Sequence, residues 1–196
     1  TGAIVAPYTI DNTRCISYLT IENRGAIPSE LRPQIGDWVF GCDICQEVCP
    51  VNRKARPAPP GRWQRSQVSV DPLPESQERQ PACKEAPAGL DLIELLELSE
   101  GDFRNRFQGT AILRAKRVGL QRNACVALGN LAATEAVPAL CRVLVQGEAL
   151  VRGHAAWALG RIGTIEAQRA LEQACMDEAD PWVLGELANA KDALTG

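Results

Sequence analysis

Residues 120–129 read Leu120-Gln-Arg-Asn-Ala-Cys-Val-Ala-Leu-Gly129, and residues 151–160 read Val151-Arg-Gly-His-Ala-Ala-Trp-Ala-Leu-Gly160. The second stretch starts 31 residues after the first, and Glu135-Ala-Val-Pro-Ala-Leu140 and Glu166-Ala-Gln-Arg-Ala-Leu171 show the same spacing. A third and weaker copy begins near Val183. Repetition at such a period is typical of stacked helix pairs, in which each pair covers the apolar face of its neighbour. The sequence therefore predicts a short α-solenoid.

Apolar residues recur at helical spacing throughout residues 89–196, beginning with Leu92, Leu95 and Leu96. Gly129 and Gly160 occupy matching places in the two repeats. Because a glycine inside a helix costs about 1 kcal/mol relative to alanine, we expect each to permit the close approach of another helix. The region resembles HEAT-like repeats, and Trp157 is expected to pack in their core.

The most specific motif of the chain is Gly41-Cys42-Asp-Ile-Cys45-Gln-Glu-Val-Cys49-Pro50. Bacterial ferredoxins bind a cubane cluster with C-x2-C-x2-C-x3-C-P, in which the fourth cysteine serves the other of two clusters. Cys42, Cys45 and Cys49 match the last three cysteines of that pattern, but Val39 stands where the first would be. Cys15 is the other cysteine of this region and is the candidate for the missing ligand.

Two metal assignments remain open from the spacing. In the first, Cys15, Cys42 and Cys45 bind one [4Fe-4S] cluster with a ligand from outside this chain, and Cys49 reaches a second cluster. The opening Thr1-Gly-Ala-Ile4 looks like the residues that follow the Cys-Pro of another such motif, so we expect a longer parent chain. In the second assignment the four cysteines bind one zinc ion, although zinc sites seldom use C-x2-C-x3-C-P.

Composition divides the chain into three parts. Residues 1–56 are expected to form a partial ferredoxin-like iron–sulfur domain, residues 57–88 a proline-rich linker, and residues 89–196 the helical repeats. Cys83 in the linker receives no role. The net charge of −3 favours neither nucleic acid nor membrane, and no apolar stretch is long enough to span a bilayer. The cysteine distribution is typical of free thiols, so we expect a reducing, cytoplasmic setting. A monomer is also expected.

Positive charge is concentrated in one segment of this nearly neutral chain. Between residues 103 and 134 there is no acidic residue, whereas the basic ones are Arg104, Arg106, Arg114, Lys116, Arg117 and Arg122. Phosphate backbones attract such a segment, and Asn123 has the hydrogen-bonding groups to bind a base or sugar. The repeat spacing places His154 opposite Asn123 on one ridge, with Arg152 nearby. A solvated helix face remains the alternative, since it is the usual role of a charge run.

The first half of the chain resembles the epoxyqueuosine reductase family. The resemblance is carried by Arg14-Cys15-Ile-Ser-Tyr-Leu-Thr-Ile-Glu22, by Gly25-Ala-Ile-Pro28, Arg32 and Gly36, and by Gly41-Cys42-Asp-Ile-Cys45. The wide separation of Cys15 from Cys42, which breaks the ordinary ferredoxin rule, is a feature of that family. Arg122–Asn130 and His154–Gly160 resemble its repeat region, so the match covers most of the chain apart from the linker. One departure is Val51, where the family usually has tryptophan.

This resemblance implies a cobalamin-dependent reduction of the epoxide of epoxyqueuosine in tRNA to the alkene of queuosine, with electrons passing through two [4Fe-4S] clusters. The family's amino-terminal domain holds most of the cobalamin pocket and the catalytic acid, so no catalytic residue is assigned here and this chain is expected to be inactive alone. Ser17 and Asp43 are carried over as neighbours of the cobalamin; the alternative is that Ser17 caps or lines a turn and Asp43 faces solvent. An electron donor is required.

The resemblance also favours binding of a tRNA anticodon stem-loop. The candidate tRNA-contacting residues are Arg24, Arg114, Lys116, Arg117, Arg122, Asn123, Arg152 and His154. Two other functions stay open. A related corrinoid enzyme such as a reductive dehalogenase also pairs cobalamin with two clusters, although it needs no RNA platform. A non-enzymatic electron-transfer or scaffold module is the second.

Overall fold

The computed structural model describes residues 1–52 and 90–195. It divides the chain into two units: the first comprises Thr1–Cys42 and Asp91–Gly196, and the second Asp43–Leu90. The linker predicted over residues 57–88, with Cys83, lies outside the described residues. Within the described ranges the fold is mainly α, as predicted.

The amino-terminal part of the first unit consists of short elements. An antiparallel hairpin pairs β1 (Ile4–Ala6) with β2 (Thr9–Ile10), and both strands are exposed. Two short helices follow, α1 (Ile16–Ile21) and α2 (Arg32–Ile35). These helices and the segments after them carry backbone carbonyls to which side chains of the repeat helices donate hydrogen bonds.

The described part of the second unit is one helical turn and its flanks. Helix α3 (Ile44–Glu47) begins after Asp43, whose carbonyl accepts hydrogen bonds from the N–H groups of Gln46 and Glu47. The side chain of Asn52 donates to the carbonyl of Gln46 at 2.7 Å and so holds the chain after the turn.

The rest of the first unit is built from helices joined by short turns. In chain order they are α4 (Leu92–Glu97), α5 (Glu100–Phe107), α6 (Lys116–Asn130), α7 (Val137–Gln146), α8 (Ala149–Ile162), α9 (Ile165–Asp177) and α10 (Pro181–Thr195). Side-chain caps fix several starts, because Asp91, Ser99 and Thr164 accept hydrogen bonds from free amides of the first turns of α4, α5 and α9. Within the described ranges, no helix is long and apolar enough to cross a membrane.

The predicted helix pairs are confirmed. Residues 120–129 lie in α6 and residues 151–160 in α8, while the shorter repeated stretch falls in α7 and α9. Helix α8 packs against α6, α7 and α10. The apolar faces of successive pairs therefore cover one another, which is what a solenoid requires.

Both repeat glycines lie where two helices meet, as predicted. A Cβ built on Gly129 would come within 2.9 Å of the Cα of Ala158, and one built on Gly160 within 3.0 Å of the Cα of Ala190. The helix-propensity cost of these glycines is therefore offset by the close packing of α6 on α8 and of α8 on α10.

Two apolar clusters form the core of the first unit. The larger runs through the repeats and includes Leu120, Leu140, Leu159 and Leu187, each almost fully buried. The smaller joins the amino-terminal helices to α6; it consists of Ile16, Leu19, Ile27, Leu31, Ile35 and Val126, with Trp38, Cys42 and Trp157 at its edge. The amino-terminal segment is thus packed directly onto the repeats.

Helix α6 begins at Lys116. The preceding 3-10 turn (Ala111–Ala115) leads into Lys116 with φ 60° and ψ 161°. The helix start has no capping side chain, and for that reason the sequence indicated its position only roughly.

Candidate functional site

The four cysteines predicted to bind metal are divided between the two units. Cys15 and Cys42 belong to the first unit, and Cys45 and Cys49 to the second. Cys45 is exposed and the other three are half-buried. All seven cysteines within the described ranges are free, so none of the four is committed to a disulfide.

Cys15 and Cys42 are placed by the same small set of neighbours. Cys15 immediately precedes α1, and its carbonyl accepts the N–H of Leu19 at 2.9 Å. Cys42 packs at the edge of the smaller apolar cluster, to which Ile16 and Leu19 also belong. The hydroxyl of Thr20 in α1 accepts the N–H of Gly41 at 3.0 Å and donates to the carbonyl of Ile16 at 2.8 Å.

The donor chemistry of these residues fits an iron–sulfur cluster. Iron in such clusters is held by cysteine thiolates, and four free, at least partly accessible thiols supply the required atoms. Among residues 1–52 and 90–195, no three Cys, His, Asp or Glu side chains gather closely enough to hold a metal ion. The geometry of these residues therefore does not distinguish two iron–sulfur clusters from one zinc ion. Both assignments stay predictions.

The two residues carried over as cobalamin neighbours lie in different settings. Ser17 is half-buried in the first turn of α1. Asp43 is exposed, and its carboxylate accepts a hydrogen bond from the side chain of Gln46 at 3.0 Å. The exposure of Asp43 agrees both with the alternative that this side chain only faces solvent and with a contact to cobalamin. Its assignment as a cobalamin neighbour therefore stays a prediction.

Arg122 and Asn123, predicted to contact RNA, are buried instead. Arg122 donates to the carbonyls of Leu19, Asn23 and Gly25 at 2.7–2.9 Å and to the side-chain oxygen of Asn123. It is 0% exposed, and burial lowers its pKa to about 10, with a smaller contribution from Arg24. Since its donors are occupied by the amino-terminal segment, we assign Arg122 and Asn123 to the structure and not to RNA contact.

His154, expected on one ridge with Asn123, is likewise buried and also faces protein. Its Nδ1 is 2.7 Å from the carbonyl of Leu150 and its Nε2 accepts the N–H of Ile27 at 3.1 Å. Burial holds the pKa of His154 well below its ordinary value, and the nearby positive charge of Arg32 lowers it further. The ring is neutral and has no surface for RNA.

The other predicted RNA contacts are exposed or partly exposed. Arg24 and Arg114 both pair with Glu22, at the amino-terminal side of the repeats. Lys116 is exposed, and the described residues give it no ion pair. Arg117 pairs with Glu100 and Glu148.

Arg152, expected near Asn123 and His154, makes its hydrogen bonds with other residues. Its guanidinium forms a two-point ion pair with Glu178, at 2.7 and 2.8 Å, and donates to the carbonyl of Gly147. This pairing lowers the pKa of Glu178 to about 2. Arg152 therefore joins α8 to the end of α9.

Sequence reasoning missed two further anchors of the amino-terminal segment. Arg32 is buried and forms two hydrogen bonds of 2.6 Å with Glu186 of α10. Asn130 at the end of α6 donates to the carbonyls of Arg32 and Gly36, both at 2.8 Å. For Asn130 the available signal was a polar residue in the largely apolar stretch Ala124–Leu131, which predicts a hydrogen-bonded partner. Arg32, in a four-residue helix, carried no such signal.

Comparison with known proteins adds two family matches to this geometry. Residues 1–52 match the 4Fe-4S double cluster binding domain, and residues 110–190 match HEAT repeats. Fold and motif together define an iron–sulfur domain followed by HEAT repeats. This confirms the predicted fold class.

Individual relatives agree with each other. The chain is 43% identical over 166 residues to epoxyqueuosine reductase of Pseudomonas aeruginosa, covering 83% of this chain and 40% of that protein. Against the Escherichia coli enzyme it is 41% identical over 161 residues, covering 82% and 38%. The chain thus spans about two fifths of the length of these relatives, and over most of its own length it is similar to epoxyqueuosine reductases.

Solved structures show the same relationship in three dimensions. A crystal structure of epoxyqueuosine reductase with an epoxyqueuosine-modified tRNA-Tyr stem loop matches all of this chain and 48% of that one, with a TM-score of 0.77 and 31% identity. The enzyme from Streptococcus thermophilus matches with a TM-score of 0.73 and 25% identity, over 100% of this chain and 47% of that one. Both the repeats and the cysteine-bearing segment therefore fall within the matched part of these structures.

Proposed function

We propose that this chain is the cluster-bearing and tRNA-docking part of an epoxyqueuosine reductase, which converts epoxyqueuosine in tRNA to queuosine. The observation that carries the proposal is the match of the whole chain, cysteine segment and repeats together, to a reductase that was crystallised with a modified tRNA stem loop. Helical repeats alone would fit many binding proteins. The motif from Cys42 to Pro50, in the same chain as such repeats, is what favours this enzyme over a scaffold.

In this proposal Cys15, Cys42 and Cys45 serve one [4Fe-4S] cluster and Cys49 a second. The match of residues 1–52 to a 4Fe-4S domain supports iron–sulfur ligation over zinc. Cobalamin is the proposed acceptor of electrons at the substrate, with Ser17 and Asp43 as its candidate neighbours. The chain's own contribution is to hold thiolates at fixed places; no catalytic residue is assigned to it.

The proposed tRNA surface lies at the junction of the amino-terminal segment and the turn before α6. Arg24 and Arg114 share a single acidic partner, Glu22, so that their combined charge exceeds its charge. Lys116 adds an exposed positive charge two residues after Arg114. Such a surface attracts the phosphates of an anticodon stem-loop. Arg122, Asn123 and His154 are buried, so the proposed tRNA surface does not include them.

The relatives compared above are named as reductases of epoxyqueuosine, which supports this substrate over an organohalide. We further propose a monomer that receives electrons from a separate donor in the cytoplasm; the free thiols of the described residues support a reducing compartment.

The test is turnover by the product of the complete gene that encodes this chain. That protein, reconstituted without oxygen with iron, sulfide and cobalamin, should convert an epoxyqueuosine-containing stem-loop to the queuosine form, measured by mass spectrometry of the nucleosides. Cys45→Ala should remove the brown absorbance of its cluster and stop turnover, whereas Cys125→Ala, in the repeat core, should retain the cluster absorbance. Stoichiometric zinc in place of iron in the purified protein would overturn the proposal.

A further inference from the structure

Thr20 joins the two segments that carry Cys15 and Cys42. It is 1% exposed, and its hydroxyl bonds the carbonyl of Ile16, the residue after Cys15, and the N–H of Gly41, the residue before Cys42. One side chain thus contacts the neighbours of both cysteines. Because hydroxyl hydrogen bonds are short and directional, this contact fixes the approach of one segment to the other.

Asn123 of α6 reinforces the same junction from the side of the repeats. Its amide donates to the carbonyl of Thr20 at 2.7 Å and to the carbonyl of Val39 at 2.8 Å. Val39 lies three residues before Cys42, so Asn123 bridges the helix after one cysteine and the stretch of chain before the other.

The orientation of Asn123 is itself fixed. Its side-chain oxygen accepts two hydrogen bonds from Arg122, at 3.0 and 2.8 Å, and the residue is 1% exposed. Both amide hydrogens and the oxygen are therefore in use, and a side chain with every polar group satisfied in a buried site has one rotamer. Val126, one turn further along α6, packs in the same apolar cluster as Ile16 and Leu19.

We propose that Asn123 and Thr20 are positioning residues, which hold the segments of Cys15 and Cys42 in the register that a shared cluster needs. The inference rests on the cluster ligation proposed above, and it makes the first HEAT-like helix part of the cluster site. Neither residue touches the cluster. Their effect passes through the backbone at Thr20, Val39 and Gly41.

Asn130 provides a matched control on the same helix. It is also an asparagine that donates to two backbone carbonyls of the amino-terminal segment, those of Arg32 and Gly36. Neither carbonyl adjoins a proposed ligand. Asn123→Ala and Asn130→Ala therefore each remove two hydrogen bonds to backbone carbonyls, and only those of Asn123 lead to the cysteines. Asn123→Ala also removes the two bonds from Arg122, and the Thr20 variants below, which leave Arg122 unchanged, separate that effect.

The experiment uses the complete gene product, purified and reconstituted without oxygen. Iron and sulfide per chain are measured, together with the rate at which a chelator removes iron and the electron paramagnetic resonance spectrum of the reduced protein. Removal of an outer-shell partner lowers metal affinity roughly 10- to 100-fold. We expect Asn123→Ala to lose iron at least about tenfold faster than Asn130→Ala and to show an altered spectrum.

A milder pair of variants guards against simple unfolding. Thr20→Val removes the hydroxyl at nearly constant volume and should also speed iron loss, whereas Thr20→Ser retains the hydroxyl and should behave like the unaltered protein. A readout without the cluster is hydrogen exchange at the amide of Gly41, which should accelerate in Thr20→Val and in Asn123→Ala but not in Asn130→Ala.

The outcomes separate the two proposals. If the unaltered protein assembles no iron–sulfur cluster, the proposed function fails. If it does, but Asn123→Ala and Asn130→Ala lose iron at equal rates with equal Gly41 exchange, the positioning role is overturned. If Asn123→Ala weakens binding of the tRNA stem-loop while the iron content is unchanged, Asn123 contacts RNA. That result would also overturn the positioning role.

Discussion

Arg32 and Glu186 meet in a two-point ion pair, with both N–O distances at 2.6 Å, although 154 residues separate them in the chain. The side chain of Arg32 is 1% exposed and that of Glu186 11%. The pair joins the segment that follows Cys15 to the last repeat helix, so the amino-terminal segment is held from α6 to α10. A buried charge stays favourable only while its partner is present.

Glu186→Gln should therefore be strongly destabilising. It leaves the guanidinium of Arg32 buried without an opposite charge, for which we expect a loss of about 3 kcal/mol or more in the free energy of unfolding. Glu97→Gln, which breaks an exposed pair with Arg142, is the control and should cost less than about 1 kcal/mol. Urea unfolding monitored by circular dichroism measures both. Equal losses for the two variants would show that Arg32 is less buried than described.

The close packing of α6 on α8 gives a second prediction. In Gly129→Ala the new methyl group would lie 2.7 Å from a ring carbon of Trp157 and 2.9 Å from the Cα of Ala158. Because one of these atoms belongs to the backbone, the two helices must move apart, at a cost of about 1–3 kcal/mol.

Gly119→Ala is the matched control, since it lies in the same helix and nothing stands within 4 Å of its added Cβ. There the better helix propensity of alanine should raise stability by about 0.5–1 kcal/mol. The two variants should thus move the melting temperature in opposite directions. A stabilising effect of Gly129→Ala would contradict the observed helix approach.

The repeat architecture was readable from sequence because burial imposes it. Each helix pair must cover its neighbour, so the pattern at Leu120 recurs at Val151 and marks the same inner position. What could not be read was the partner of each polar residue on that inner face. The carbonyls of Leu19, Asn23 and Gly25 receive Arg122. Every residue type has a backbone carbonyl, so a segment that accepts hydrogen bonds through its carbonyls cannot be recognised from its sequence. For that reason the sequence indicated Arg122 as a phosphate ligand.

The cysteine motif shows the converse limit. The spacing from Cys42 to Cys49 indicated iron–sulfur chemistry, because a cluster requires cysteine thiolates at short separations along the chain. Both the residue type and the spacing are visible in the sequence. The supports of Cys15 and Cys42 were hidden, since Thr20 and Asn123 act across 103 residues of chain through main-chain atoms. A contact of that kind depends on the tertiary fold.

The burial of His154 predicts a specific acid sensitivity. It is the only histidine of the chain, and its pKa in the folded state lies well below 6.5 because burial and Arg32 oppose the charge. Below pH 6.5 His154 binds a proton in the unfolded chain but not in the folded chain. The free energy of unfolding therefore falls as the pH falls below 6.5. The slope approaches about 1.4 kcal/mol per pH unit.

Unfolding free energies measured between pH 5 and 8 should show this decline, and His154→Gln, although less stable throughout, should flatten it. Carboxylates titrate mostly below this range, and the lowered pKa of Glu178 keeps its contribution near the acid end. A flat profile in the unaltered protein between pH 5 and 6.5 would mean that His154 is accessible to water and free to protonate.

The RNA surface gives the last prediction, because it separates exposed from buried cations. Arg114→Ala with Lys116→Ala should weaken binding of an anticodon stem-loop by the complete gene product and should reduce the slope of log Kd against log salt by about 1 for each phosphate that is no longer neutralised. Arg169→Ala with Lys191→Ala removes the same charge from exposed sites on α9 and α10 and is the control. Since net charge changes equally in both double variants, a general electrostatic effect would lower their slopes equally. A larger reduction of this slope for Arg114→Ala with Lys116→Ala locates the phosphate-binding surface beside Glu22. Equal reductions for the two double variants would mean that no phosphate lies there, and that the tRNA docks elsewhere on the repeats.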